Sequence, residues 1–256
     1  MRRAWLILTA VAMLAVALAG CGSSGNTSAD GGQLVVSGAS SLQTAFEHYA
    51  KQFNGGRVRF SFAGSDELAA QIQQGIKPDV YAAANTRLPD ALYADGLVEK
   101  PTVFAGNRLV IAVPADSTKV GSIDDLARPG VKIAVGSESV PIGSYTLGVL
   151  DKLPKAVSAK ILANVRSQEP DVKGIVGKLT QGAVDAGFVY VTDVTATRGA
   201  LRAIDLPARL RPSASYAVAV VRGAEHPAEA KRFIAGLLDG DGQRALLDAG
   251  FEPPSQ

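Results

Sequence analysis

The chain has 256 residues, with 26 Lys and Arg against 24 Asp and Glu, a single cysteine, 47% hydrophobic residues and 20% charged ones. This is ordinary globular usage, and it excludes a disordered chain, a collagen-like repeat and a disulfide scaffold. Only one stretch, at the N-terminus, is long and apolar enough to concern a membrane, which excludes a polytopic membrane protein.

That stretch opens the chain. Met1-Arg2-Arg3 is basic, Ala4 to Gly20 carries no charge, and the run ends in Leu18-Ala19-Gly20-Cys21. A basic start, an apolar middle and small residues before a cut are the parts of an export signal. The last four residues resemble the lipobox of bacterial lipoproteins, which implies cleavage before Cys21 and diacylation of its thiol. A single-pass anchor is the alternative, with seventeen uncharged residues at the short end for a span. The position of the only cysteine favours the lipobox. Loss of residues 1–20 removes two arginines and no acid, leaving 24 basic and 24 acidic residues. A net charge of zero speaks against a nucleic-acid partner. It also means that any bound anion is held by local groups, not by the field of the whole protein. Gly22 to Gly32 is small, polar and aperiodic, a flexible tether of eleven residues with a reach of about 36–40 Å. The folded body is expected from Gln33 to Gln256.

Along the body, short apolar strands alternate with helical patterns. Leu34-Val35-Val36 reads as a buried strand, followed by Leu42, Phe46, Tyr49 and Phe53 at helical spacing. Val58, Phe60 and Phe62 alternate with Arg57, Arg59 and Ser61 in a half-buried strand, and Leu68 and Ile72 face inward from a helix that Gly75 stops. Strands are expected at Pro78 to Ala84, Leu109 to Val113 and Val131 to Val135, then a helix from about Tyr145 to Leu153. Asp171 opens a helix whose Val172, Ile175, Val176 and Leu179 share a face, closed by Gly182. Ala186 to Tyr190 and Tyr216 to Val221 are strands, and helices from Pro227 to Leu238 and Gly242 to Ala249 end the chain. Regular alternation predicts an α/β fold with a mostly parallel sheet. No internal repeat is visible.

In open α/β sheets, ligands sit beyond the carboxyl ends of strands, where helices begin. Ser40-Ser41 precedes one helix and Ser65 another, each a candidate N-cap, with Gly38 and Gly64 leaving backbone accessible nearby. Helix N-termini present unpaired N–H groups and about half a positive charge. Several converging on one point would hold an oxyanion without any lysine or arginine. One such junction alone is ordinary capping. Catalytic motifs are missing: there is no Gly-x-Ser-x-Gly, no phosphate loop and no His-Glu-x-x-His. His48 and His226 are expected at the surface, which leaves a hydrolase triad without its base.

Ala39-Ser40-Ser41-Leu42, Phe62-Ala63-Gly64-Ser65, Val140-Pro141-Ile142-Gly143, Glu169-Pro170-Asp171-Val172 and Gly187-Phe188-Val189-Tyr190 occur in that order. Together with Lys77-Pro78-Asp79-Val80-Tyr81, Gly106-Asn107-Arg108-Leu109 and Ala249-Gly250-Phe251 they cover nearly the whole body. The ordered set resembles the substrate-binding proteins of molybdate ABC importers. The resemblance implies a two-lobed, periplasmic-binding-protein-like fold of type II, with two crossover strands as hinge. It implies a tetrahedral oxyanion, molybdate or tungstate, held between the lobes by neutral donors only. Those donors would be the hydroxyls and amides of Ser41 and Ser65, the backbone amides of Ile142 and Val172, and the phenol of Tyr190. It implies no cofactor, no protein side chain bonded directly to the metal, a permease and its ATPase as partners, and a monomer attached to the membrane through Cys21. Two departures leave open whether Asp66, where relatives often carry Ser, Thr or Asn, reaches the ligand, and whether Ser40 or Ser41 faces it. The alignment favours Ser41. Ile142 stands where a smaller residue is frequent.

A donors-only site has a selectivity rationale. Molybdate and tungstate are fully deprotonated near neutral pH, so every oxygen accepts. Phosphate keeps a proton that such a wall leaves unpaired, at a cost of about 1–3 kcal/mol. Sulfate must be rejected by size. The alternatives are a binding protein for phosphate or sulfate, with Asp66 taking phosphate's proton, and a secreted hydrolase. The first lobe is expected over 33–111 and 216–256, and the second over 112–215.

Overall fold

The computed structural model describes residues 32–254. The signal, Cys21 and nearly all of the tether lie outside the described residues.

Ten strands form two five-stranded sheets among the described residues. The chain first lays down β1 (Leu34–Ala39), β2 (Val58–Ala63), β3 (Val80–Ala83) and β4 (Thr102–Asn107). It then crosses to a second sheet for β5 (Leu109–Pro114), β6 (Ile133–Gly136), β7 (Val165–Glu169), β8 (Ala186–Tyr190) and β9 (Leu201–Asp205). It returns to the first for β10 (Ala214–Val220). The orders are β2-β1-β3-β10-β4 and β7-β6-β8-β5-β9. The two sheets repeat one topology, β1 matching β6, β2 matching β7, β3 matching β8, and the strands next to the crossings, β10 and β5, inserted fourth. The sequence carries no visible repeat to announce this.

The sheets are mixed. In each, two pairings are parallel and two antiparallel, where the alternation of elements had predicted mostly parallel pairing. The difference comes from the strands at the crossings: β10 and β5 run against the βαβ units they join. The expected lobe boundaries at Ile111 and Tyr216 fall inside β5 and β10. All of β5 pairs with β8 and β9, and β10 with β3 and β4. The crossings therefore lie at Arg108 and within 206–213. Arg108 sits at the first of these, paired with Asp205 at 2.8 Å and with Glu252 at 3.1 Å.

Helices cover both sheets: α1 (Gln43–Ala50), α2 (Ser65–Gln73), α3 (Arg87–Ala94), α4 (Pro141–Leu150), α5 (Lys155–Ala163), α6 (Val172–Thr180), α7 (Val191–Ala196), α8 (Pro227–Leu238) and α9 (Asp241–Asp248). α1 stops at Ala50, so Phe53 packs from beyond its end, its ring 5.4 Å from that of Phe233. α4 begins four residues earlier than expected, because Pro141 takes the first helical position, where a missing N–H costs nothing. The lobes pack differently. The first is aromatic, with Phe46 edge-on to Phe233 at 5.5 Å and close to Phe60 and Phe104. The second is mainly aliphatic, built on Val110, Ile111, Val113, Ile133, Ile175 and Leu179 around Phe188.

Candidate functional site

The carboxyl ends of β1, β2 and β3 in one lobe face those of β6, β7 and β8 in the other. Between them lies a small pocket lined by Ser40, Ser41, Gly64, Ser65, Ala84, Val140, Ile142, Asp171, Val172 and Tyr190, among others. All five residues singled out from the sequence, Ser41, Ser65, Ile142, Val172 and Tyr190, stand in this one wall. Among the described residues, no lysine, arginine or histidine does.

Each arrives there for a local reason. Ser40–Leu42 is a single 3-10 turn ahead of α1, and neither serine hydroxyl caps a helix. Both serines line the cavity, and the Ser41 hydroxyl is 2.9 Å from the phenol oxygen of Tyr216 on β10. Ser65 is the first residue of α2, not its N-cap; Gly64 holds that position. Its Oγ accepts from the backbone N–H of Ala84 at 3.1 Å, leaving the hydroxyl hydrogen to point elsewhere. Ile142 and Val172 occupy the second position of α4 and the first of α6, where backbone N–H groups have no intrahelical acceptor. At α6 the N-cap side chain of Asp171 takes the next two amides, Lys173 at 2.7 Å and Gly174 at 3.1 Å. The Val172 amide is left over.

Tyr190 ends β8, is 1% exposed, and its phenol oxygen has no hydrogen-bond partner among the described residues. A buried, unpaired hydroxyl costs about 1–3 kcal/mol, which an acceptor in the cavity would recover. Burial, with the neighbouring Tyr216 adding to it, pushes this phenol well above the ordinary tyrosine value, so it is a neutral O–H donor. Its ring lies edge-on to Tyr216 at 5.7 Å and to Tyr145 at 6.5 Å. Beneath it, Asp193 accepts from the Tyr190 backbone N–H at 3.3 Å and pairs with Lys173 at 3.1 Å. Burial raises the Asp193 carboxyl, and Lys173 opposes the rise. This pair ties the start of α6, which carries Val172, to the start of α7, next to Tyr190.

Asp66 is not in the cavity wall. Its Oδ1 is buried beside Gly64, at the seam between the lobes, with no hydrogen-bond partner among the described residues. At Gly64 a Cβ would lie 2.5 Å from the carbonyl oxygen of Pro170 in the second lobe, so only glycine permits this approach. His48 is exposed, whereas His226, expected at the surface, is half-buried. Its backbone N–H donates to Asp79 at 2.8 Å and its Nδ1 is 3.4 Å from the same carboxylate. The cause is Asp79, buried just ahead of β3, which also accepts from Val35 N–H at 2.8 Å. Among the described residues no three His, Cys, Asp or Glu side chains come together as a metal site. Sequence reasoning missed Tyr216, Asn107 and Thr192, which form a buried hydrogen-bonded cluster behind Ser41. Asn107 belonged to a recognised landmark, but Tyr216 read only as strand core.

Residues 34–252 match the family of bacterial extracellular solute-binding proteins. The chain is 36% identical over 255 residues to the molybdate-binding protein ModA of Mycobacterium tuberculosis, covering 95% of each. It is 31% identical over 247 residues to YvgL of Bacillus subtilis, described as a putative ABC transporter substrate-binding lipoprotein, covering 91% of this chain and 92% of that one. In three dimensions it is similar to the periplasmic molybdate-binding protein of Azotobacter vinelandii, with a TM-score of 0.76 at 21% identity over 87% of this chain and all of the other. That likeness establishes the two-lobed α/β fold. With the fold, the facing strand ends and the family match in agreement, the chain belongs to the bacterial extracellular solute-binding proteins.

Proposed function

We propose that this protein captures molybdate or tungstate outside the cytoplasmic membrane and delivers it to the permease and ATPase of an ABC importer. The observation that carries the reading is the buried, partnerless phenol of Tyr190 in a wall that offers donors from both lobes and no cation. Serine hydroxyls on one side and first-turn amides of α4 and α6 on the other suit a solute whose every oxygen accepts. The names of the mycobacterial relative and of the Azotobacter structure point to the same ligand. The protein binds its ligand and does not transform it. Closure of the lobes about the two crossings brings the donors together, and ligand contacts to both lobes favour the closed form. Tungstate is included because it is nearly isosteric with molybdate. Cys21 carries the lipid anchor, in keeping with the lipoprotein named among the relatives, and the protein works as a monomer.

Thermal denaturation with four anions tests the ligand. A ligand that binds only the folded state stabilises it by mass action. Molybdate and tungstate should each raise Tm, sulfate far less, and phosphate almost not at all. A larger shift with phosphate or sulfate than with molybdate overturns the assignment. For the anchor, Cys21→Ser should move the protein out of the membrane fraction or leave it as uncleaved precursor. Mature Cys21→Ser protein that still needs detergent for extraction overturns the lipidation.

A further inference from the structure

The cluster behind Ser41 has a direction. Asn107, 3% exposed at the end of β4, accepts at Oδ1 from the backbone N–H of Arg108 at 2.9 Å. An N–H can only donate, so this contact fixes which end of the amide is oxygen. Nδ2 must then face the other way, where it donates to Thr192 Oγ1 at 3.0 Å and to the Tyr216 phenol oxygen at 3.4 Å. Tyr216, with its acceptor side occupied by Asn107, has its own hydrogen left for Ser41 Oγ, 2.9 Å away. Donation from Tyr216 to Ser41 pairs this buried hydrogen, whereas the reverse direction would leave it unpaired, so Ser41 accepts on its inner side. Its hydroxyl hydrogen has no protein acceptor among the described residues, and Ser41 stands in the cavity wall.

We propose that Asn107 is a positioning residue that acts through Tyr216 to turn the Ser41 hydroxyl into an obligatory donor toward the ligand. The inference rests on the oxyanion reading and deepens it. A serine hydroxyl is by itself ambivalent, able to donate to a deprotonated oxyanion or accept from a protonated one. A chain that begins at a backbone N–H removes the choice. It thereby discriminates against an oxyanion that carries a proton, using residues that do not touch it. The same chain reaches Thr192 in the second lobe, so the donor orientation is set at the first crossing between the lobes.

The test is titration calorimetry with molybdate and with phosphate at neutral pH, on the wild type, Asn107→Asp, Tyr216→Phe and the double variant. Asn107→Asp keeps the shape but replaces the donor with an acceptor. Tyr216 then donates to the new carboxylate, Ser41 donates to Tyr216, and Ser41 shows the ligand a lone pair. Molybdate affinity should fall about tenfold or more, as one hydrogen bond to a charged acceptor is lost, while phosphate affinity holds or rises. In the Tyr216→Phe background the chain is already cut, so Asn107→Asp should cost molybdate only about twofold to threefold through its charge. That charge is present in both backgrounds and cancels in the comparison. Should Asn107→Asp not fold, Asn107→Leu reads the same chain through a smaller loss that again disappears with Tyr216→Phe. Equal losses in both backgrounds, or an unchanged ratio of molybdate to phosphate affinity, overturn the inference while leaving the oxyanion reading intact. A wild type that binds none of the oxyanions overturns both.

Discussion

At the ends of β1 and β2 the first lobe places Ser41 and Ser65; at the matching ends of β6 and β7 the second places Ile142 and Val172. The matching strands β3 and β8 lead to Ala84, just past the end of β3, and to Tyr190, the last residue of β8. One topology thus presents the same six positions with different chemistry. On the proposed reading, the first lobe uses hydroxyls whose orientation must be imposed, that of Ser65 by the Ala84 amide it accepts from and that of Ser41 by its contact with Tyr216. The second relies on first-turn amides, whose orientation comes with the helix, plus one phenol. Side-chain identity therefore matters more in the first lobe, and helix placement more in the second.

The largest expected effect falls on that placement. Lys173→Met leaves the fully buried Asp193 carboxylate without its partner and should destabilise the fold by about 3 kcal/mol. A carboxyl raised in the folded state binds its proton more tightly there, so stability falls as pH rises from the ordinary carboxylate value through the raised one. Removing the opposing lysine widens that window. The loss should be greatest at neutral pH and recover on acidification, as urea denaturation at several pH values would show; a pH-independent loss contradicts the pairing.

Next come the hydroxyls. Ser41→Ala, Ser65→Ala and Tyr190→Phe should each weaken molybdate by roughly tenfold to a hundredfold, equivalent to about 1.5–3 kcal/mol for a bond to a charged acceptor. Stability separates them. Ser65→Ala also strands the Ala84 N–H and should lower Tm without ligand, whereas Tyr190→Phe removes an unpaired group and should leave that Tm unchanged or raised. Gly64→Ala tests the seam. Its backbone angles suit alanine, but the added Cβ meets the Pro170 carbonyl of the opposite lobe. Affinity should drop by up to a hundredfold, the overpacking cost of about 1–3 kcal/mol falling on closure, with little change in Tm without ligand. Ile142→Ala and Val172→Ala keep their amides and should stay within a few fold in calorimetry. Smallest of all is the response to alkali. The Tyr190 phenol is raised well above its ordinary value near 10, so affinity should be flat between about pH 7 and 9.5. A fall in that range would mean that a donor is titrating.

Where one face of an element is apolar and its ends are marked, the sequence shows it. The runs at Leu34 and Ala186, the alternation in β2, the Asp171 cap and the glycine after α6 were all legible. Elements without an apolar signature were not. β7 is Val165-Arg-Ser-Gln-Glu169, an edge strand with alternate residues in solvent, and β9 is likewise an edge. α3 carries Pro89 and α7 has only six residues. The cavity's five residues were reached by family resemblance, because a serine or an isoleucine at a helix start is chemically unremarkable alone. Hydrogen-bond direction was beyond the sequence. Neither the Asn107 relay nor the Asp79–His226 contact follows from spacing, since each joins residues more than a hundred positions apart.

The most direct test of the central claim, that neutral donors from both lobes hold a fully deprotonated oxyanion, is a crystal structure of the protein with molybdate. The account predicts one tetrahedral ion in this cavity. Its oxygens should lie within hydrogen-bond distance of Ser41 Oγ, Ser65 Oγ, the amides of Ile142 and Val172, and the Tyr190 phenol, with Asp66 out of contact. An ion seated on lysine or arginine, bonded to a carboxylate, or lying elsewhere in the molecule would contradict it.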